Sequence, residues 1–370
     1  MSVKTLLKLN KLFRVPEHPF NAKNNGRDSA QNREAAGGSA DCSLAYAQWQ
    51  YERAKDALAC YAPNYTPGDI LFRKKVLDIG CGAGGKSVYY AEKWSADVTG
   101  MDILEQYAEP SEAFARKHGV DPDDILSRAP NAGSFRFVCA DAANMGISDA
   151  ADTSLADKSF DTIIMNDAFE HLADPEAVLC ECGRLLKPGG RVFINFPPYG
   201  HPYGAHLSDL IGIPWVHRLF SEQDCTEAYR QLAEDLDERT RQNGSAGSAH
   251  NFERPAVSGA ERIRFRFSEG ENGALKNSYI NKMTLKRFKD ILKTTRFDGQ
   301  KAASPSSPES AGLRLSMYKE IPLRGWLTPL AKIPGLKENF VRMVVCVFEK
   351  EGGPKRTGGF TGESILISEK

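Results

Sequence analysis

Val76-Leu77-Asp78-Ile79-Gly80-Cys81-Gly82-Ala83-Gly84-Gly85-Lys86-Ser87 reads as a short buried strand that breaks into a glycine turn and restarts as a helix. The glycines tolerate positive φ and let a ligand approach the backbone closely. Taken literally, the turn contains G-x-G-x-x-G at Gly80, Gly82 and Gly85, a dinucleotide fingerprint that is weak by itself. Asp102 stands 22 positions after Gly80, a spacing that suits a ribose-binding acid.

Outward from this turn, strands and helices alternate. Lys86–Trp94 is predicted helical, and strands are predicted at Asp97–Asp102, Arg136–Ala140, Phe160–Met165 and Arg191–Phe196. Asp174 can cap a helix with Pro175 at its first position, and Lys187-Pro188-Gly189-Gly190 ends it. Such alternation argues for a parallel α/β sheet. Upstream, Leu44, Ala47, Tyr51, Ala54 and Leu58 form one face of a helix over about 43–61. Residues 21–40 read as a linker. Residues 1–16 carry Lys4, Lys8, Lys11 and Arg14 with no acid, which fits a docked helix or, alternatively, a targeting or membrane-surface element.

Regularity stops at 199. Residues 199–220 are dense in Tyr, His, Pro and Gly, 222–241 read as an acidic helix, and 243–259 has loop composition. A helix returns at about 284–296, and Leu313–Tyr318 and Val341–Phe348 read as strands.

The 370 residues hold 48 Lys+Arg and 48 Asp+Glu, with 41% hydrophobic residues, which excludes wholesale disorder and gives no support to a strongly basic nucleic-acid binder. The neutrality is uneven: 222–241 has seven acids against three Arg, and 276–296 has seven Lys/Arg against one Asp. No apolar run reaches the roughly 18–20 residues of a membrane-spanning helix. Eight Cys are scattered without a CxxC, so neither a zinc site nor a disulfide framework is signalled, and a reducing, cytoplasmic setting is expected.

Asp78 decides what kind of ligand the turn suits. A pyrophosphate gains nothing from a carboxylate two residues before the first glycine, whereas a cationic ligand does. S-adenosylmethionine carries an ammonium and a sulfonium. Asp141, after the strand that ends near Ala140, stands where an adenine amino group would find an acceptor. Read alone, Asp102 is also an ordinary strand-end residue, Asp141 a turn former and Ile103 a core residue.

With these residues in view, 76–198 resembles the class I S-adenosylmethionine-dependent methyltransferases, small-molecule type. The segments that carry the resemblance are VLDIGCGAGGKS (76–87), VTGMD (98–102), CADAANMG (139–146), FDTIIMNDAFEHLADP (160–175) and GRLLKPGGRVFINFPP (183–198). Helix 284–296 with the following RFDG, and the last two strands, resemble that family's closing elements. The resemblance implies a Rossmann-like seven-stranded, mostly parallel sheet with a C-terminal antiparallel pair. It implies that Asp78, Gly80, Gly82 and Gly84 frame the methionine end and that Asp102 binds the ribose hydroxyls. Ile103 would pack on the adenine, Asp141 would hold its amino group beside the Ala142 backbone, and Asn166 would line the pocket near the methionine.

Ligands of open α/β sheets bind beyond the carboxyl ends of the strands. Four of the seven His, 171, 201, 206 and 217, follow the fourth and fifth strands. Methyl transfer requires alignment of donor and acceptor and sometimes a proton acceptor, for which His is suited near neutral pH. His206 and His217 lead as bases, with His171 third, and Tyr199, Tyr203 and Trp215 are candidate walls of the substrate pocket. No His pair at i, i+4 and no HExxH calls for a metal.

The expected organisation is an N-terminal extension over 1–69 with an amphipathic helix, a cofactor-binding core over 70–198, an inserted cap or lid over 199–280, the rest of the core over 281–350 and a tail over 351–370. The expected partner is a small-molecule acceptor, with no nucleic acid; a homo-oligomer is left open. Three alternatives stand beside this: a protein or RNA methyltransferase, a noncatalytic nucleotide-binding module on the same fold, and a dinucleotide oxidoreductase. Against the first, Asn166-Asp167-Ala168-Phe169 stands where an N-P-P-Y tetrapeptide would.

Overall fold

The structure is a computed structural model and describes residues 2–16, 39–121, 132–145, 155–245, 257–270, 274–294, 312–333 and 335–352. The expected linker at 21–40 falls almost wholly outside them, as do the tail after 352 and most of the loop expected at 243–259.

Helices α1 (Val3–Asn10), α2 (Ser39–Ala59) and α3 (Pro67–Leu71) precede strand β1 (Lys75–Ile79). Then come α4 (Gly85–Trp94), β2 (Asp97–Asp102), α5 (Ala108–Lys117), β3 (Ser134–Cys139), β4 (Phe160–Asn166), α6 (Pro175–Leu185) and β5 (Leu186–Phe196). The insertion holds α7 (Val216–Leu219), α8 (Glu222–Ser245), α9 (Gly259–Arg266) and the short strands β6 (Phe267–Glu269) and β7 (Leu275–Asn277). Helix α10 (Leu285–Thr294) and strands β8 (Leu313–Pro322) and β9 (Val341–Lys350) complete the described chain.

Seven strands form one sheet in the order β3-β2-β1-β4-β5-β9-β8. The five strands from β3 to β5 are parallel, and β9 runs antiparallel to both β5 and β8. β1, β4 and β5 are apolar on both faces because helices cover both sides. Leu58, Val88 and Phe114 of α2, α4 and α5 pack on one face, while Leu179 and Phe288 of α6 and α10 pack on the other. The chain leaves β1 for β2 and β3, then returns to β4 on the other side of β1. The carboxyl ends of β1 and β4 therefore flank a topological switch point.

Local expectations shift in three places. The buried positions of α2 are Ser43, Ala47, Gln50, Ala54 and Leu58, while Leu44 is exposed. The helix is rotated so that Gln50 meets the glycine turn. Lys187-Pro188-Gly189-Gly190 follows the helix end at Leu185 but lies within β5, as an irregularity between the Phe160–Leu186 and Thr162–Arg191 pairs. Helices α3, α5 and α9 and the β6–β7 hairpin had no counterpart in the sequence reading.

The insertion has its own core, in which Leu207, Ile211, Ile213, Phe220, Tyr229 and Phe267 pack with Leu6 of α1. Asn10 fixes α1 there: its Nδ2 donates to the Leu210 carbonyl (2.9 Å), and its Oδ1 accepts from Gly212 N (2.8 Å). The basic N-terminal segment is thus a docked helix. Among the described residues, no helix is long and apolar enough to cross a membrane.

Candidate active site

The glycine turn has the geometry its sequence demands. Gly80 has φ +71°, and a Cβ there would lie 2.6 Å from the Ala168 Cβ, so the turns after β1 and β4 touch only because position 80 is bare. A Cβ on Gly85 would sit 1.8 Å from the Ala47 carbonyl oxygen, so α2 lies directly on the turn. Gln50 bonds it twice, accepting from Gly85 N (3.2 Å) and donating to the Cys81 carbonyl (3.1 Å).

Asp78 is 3% exposed and accepts from the Ser87 hydroxyl at 2.6 Å. Burial pushes its carboxyl up to about 6. Asp102, at the end of β2, accepts from Gly82 N (2.9 Å) and Leu104 N (3.0 Å), and burial raises its carboxyl too. Ile103 is 67% exposed, and Asp141 is exposed at the head of a short helical turn, where it accepts from Ala143 N (2.9 Å); Ala142 beside it is buried. An exposed apolar side chain with an exposed carboxylate nearby along the strand ends is what an adenine ring requires, and Asp102 retains lone pairs for ribose hydroxyls. The residues present therefore fit an adenosyl group.

Asn166 is placed differently from its expected role. Its Oδ1 accepts from the Tyr61 hydroxyl (3.0 Å) and the Asn195 amide, and its Nδ2 donates to the Tyr90 oxygen (2.9 Å). Its side chain ties β4 to β5, to the turn after α2 and to α4. The cation nearest this strand end is Lys86, whose Nζ lies 3.2 Å from Asp167 and 3.4 Å from the Asn166 carbonyl.

His171 and His206, from separate loops, meet beside Glu170. Their rings are 4.9 Å apart, and their Nε2 atoms lie 3.8 and 4.0 Å from Glu170 Oε1. Glu170 is 3% exposed, and among the described residues neither of its carboxyl oxygens has a hydrogen-bond partner. Burial, with Asp167 nearby, holds its carboxyl well above the usual range. Burial likewise lowers His171 to about 4, so its imidazole is neutral at ordinary pH. One ligand atom from each of the three residues lies within 4.8 Å of the others, a spacing that suits proton exchange and would also accept a divalent cation.

Tyr279 packs on this cluster, its ring centroid 4.2 Å from that of His171 and 5.9 Å from that of His206, and Tyr46 packs against Tyr107 at 6.2 Å. Tyr46 of α2 is electrostatically coupled to Tyr107, Tyr279, Asp102 and Asp167. Tyr279, at the end of the insertion, is coupled to Glu170 and Asp102, and burial pushes it up to about 12. The Glu170 cluster follows the turn after β4, whose Ala168 touches Gly80 of the glycine turn.

The other candidates lie apart from that cluster. His217 packs on Tyr199, with ring centroids 4.6 Å apart, and burial lowers it to about 4. Trp215 donates from Nε1 to the Asn339 carbonyl (3.1 Å) and packs edge-on against Phe340. Tyr203 donates its N–H to His201 Nδ1 (3.2 Å). Sequence reasoning assigned no role to Gln50, Tyr46, Tyr107, Tyr279 or Glu170. A polar residue on the apolar face of the helix at 43–61 was the available signal for Gln50; Tyr279 gave none.

Residues 77–194 match the family model described as a methyltransferase domain. The chain is 36% identical over 135 residues to the ubiquinone biosynthesis O-methyltransferase of Idiomarina loihiensis, covering 36% of this chain and 46% of that protein. It is 30% identical over 152 residues to the protein of that name from Vibrio atlanticus, covering 41% and 54%. The chain spans about half the length of the curated relatives it matches. A solved structure from Methanosarcina mazei, described as a SAM-dependent methyltransferase, is similar over 75% of this chain and 92% of that one, at 17% identity and a TM-score of 0.38. Residues 77–194 are thus similar to a methyltransferase domain. Both relatives are named as O-methyltransferases.

Proposed function

We propose that this chain transfers a methyl group from S-adenosylmethionine to a hydroxyl oxygen of a small-molecule acceptor, with the His171–His206–Glu170 cluster receiving the hydroxyl proton. The bound cofactor supplies an electrophilic methyl on a sulfonium, so the protein's task is alignment, exclusion of water and proton removal. Asp102, Ile103 and Asp141 hold the adenosyl end. The glycine turn, Asp78 and Lys86 surround the amino-acid end. Tyr46, Tyr107 and Tyr279 enclose the acceptor, with the 199–280 insertion as one wall. The neutral His171 accepts the hydroxyl proton at Nε2, and the Tyr279 carbonyl and the Asp167 charge favour the imidazolium that forms. The observation that carries this reading is the buried Glu170 carboxyl, unpartnered among the described residues, with two imidazoles about it on the acceptor side of the glycine turn. The relatives' names support oxygen as the atom methylated.

The experiment is transfer of labelled methyl from S-adenosylmethionine into a metabolite extract, with the product identified by mass. The expected product is a methyl ether of a small hydroxylated compound. Label in protein or RNA alone, or no transfer with preferential binding of NAD, would reject the proposal. A chelator is expected to leave turnover unchanged; activity lost to it and restored by a divalent ion would replace the proton reading with a metal one.

A further inference from the structure

Residues 278–283, where the insertion returns to the core, are bonded on two sides. Towards the core, Asn281 N donates to the Glu170 carbonyl (2.7 Å), and Asn281 Nδ2 donates to the carbonyls of Phe169 and Leu172, each at 2.9 Å. Tyr199 N donates to the Met283 carbonyl (2.7 Å), which ties the two ends of the insertion together. Towards the insertion, Ser278 N and Tyr279 N donate to the Arg266 carbonyl at 3.1 and 3.2 Å. Arg266 is itself fixed: it is 2% exposed, it pairs with buried Asp209 at 2.9 Å, and its guanidinium lies 5.2 Å from the Tyr279 ring centroid.

This strap delivers one atom to the active site. The Tyr279 carbonyl oxygen lies 2.6 Å from His171 Nδ1. A carbonyl can only accept, so a neutral His171 carries its proton on Nδ1, and Nε2, 3.8 Å from Glu170, holds the lone pair. A free imidazole prefers the opposite tautomer. The Tyr279 ring also packs on His171 at 4.2 Å and fixes its plane. We propose that the 278–281 strap sets the tautomer of His171 and that Asn281 is the positioning residue holding the strap against the 169–172 turn. The proposal rests on the reading of His171 as the proton acceptor.

Five groups around His171 bear on its charge. Glu170 and His206 lie beside Nε2, Tyr279 covers the ring, and the charges of Arg266 and Asp167 act in opposite directions.

The test uses the full chain with 15N-labelled histidine, with His171→Gln to assign the resonances. The expected wild-type result is a protonated Nδ1 and a bare Nε2 at His171. Asn281→Ala is expected to shift His171 towards the Nε2–H form and to lower kcat about tenfold while KM for S-adenosylmethionine stays within about twofold. Asn281→Gln, which keeps the amide donors, is expected to restore part of each effect. Wild-type His171 in the Nε2–H form overturns the proposal even if Asn281→Ala does not fold. An Asn281→Ala protein that loses only thermal stability, with tautomer and kcat unchanged, overturns it as well. Full turnover in a His171→Ala variant would instead reject the base reading and leave the tautomer result standing.

Discussion

The two walls of the site are built on different physics. The cofactor wall, at the carboxyl ends of β1, β2 and β3, is made by backbone: glycines with positive φ, strand ends and two carboxylates held by main-chain N–H groups. The acceptor wall, from Glu170 to Tyr279, is made by side chains that meet from distant segments and are held by a buried ion network. Asp209 joins Arg262 (3.0 Å), Arg266 (2.9 Å) and Tyr229 (2.7 Å) inside the insertion. The first wall leaves its mark in sequence because backbone geometry restricts residue type locally. The second does not, because its parts are ordinary residues until the fold brings them together.

Two substitutions sharpen this contrast. Asp209→Ala strands two buried guanidinium groups and is expected to cost about 3–5 kcal/mol of stability, read as an earlier midpoint in urea. A loss of affinity for S-adenosylmethionine as large as the loss of stability would mean that the two walls are not separate. Asp102→Ala is expected to act the other way, weakening S-adenosylmethionine by about 1.5–3 kcal/mol, read by calorimetric titration, with a smaller change in stability. An Asp102→Ala protein with unaltered affinity would remove this carboxylate from the cofactor site.

The same contrast explains which expectations the sequence carried. The strand positions and the glycine turn were legible from V-L-D-I-G-C-G and the apolar runs after it, since a doubly wound sheet needs continuous apolar strands and bare turns; the antiparallel closing pair followed only from the resemblance, and the strand order is a finding of the structure. His171 and His206 were legible as candidates because imidazoles are few, and the fold brings these two together; His217, ranked above His171, packs instead on Tyr199. Asn166 reads as a pocket residue by its place at the end of β4, but the strand pairing turns its amide towards Asn195 and Tyr61. Glu170 was legible only as one of the groups after the fourth strand, on the side of the reacting methyl; its burial beneath the returning 278–281 segment, whose Asn281 N donates to its carbonyl, was not. Tyr279 and Asn281 lie over a hundred residues from the groups they touch, with no periodicity or spacing to connect them.

The most direct measurement of the whole account is steady-state kinetics of a His171→Ala/His206→Ala double variant against wild type, with kcat and KM for S-adenosylmethionine taken in the same assay. The account predicts a fall in kcat of about 10²–10⁴ with KM for S-adenosylmethionine nearly unchanged. Unchanged kcat, or a loss carried entirely by KM for S-adenosylmethionine, would contradict the assignment of proton transfer to this cluster and the separation of the two walls.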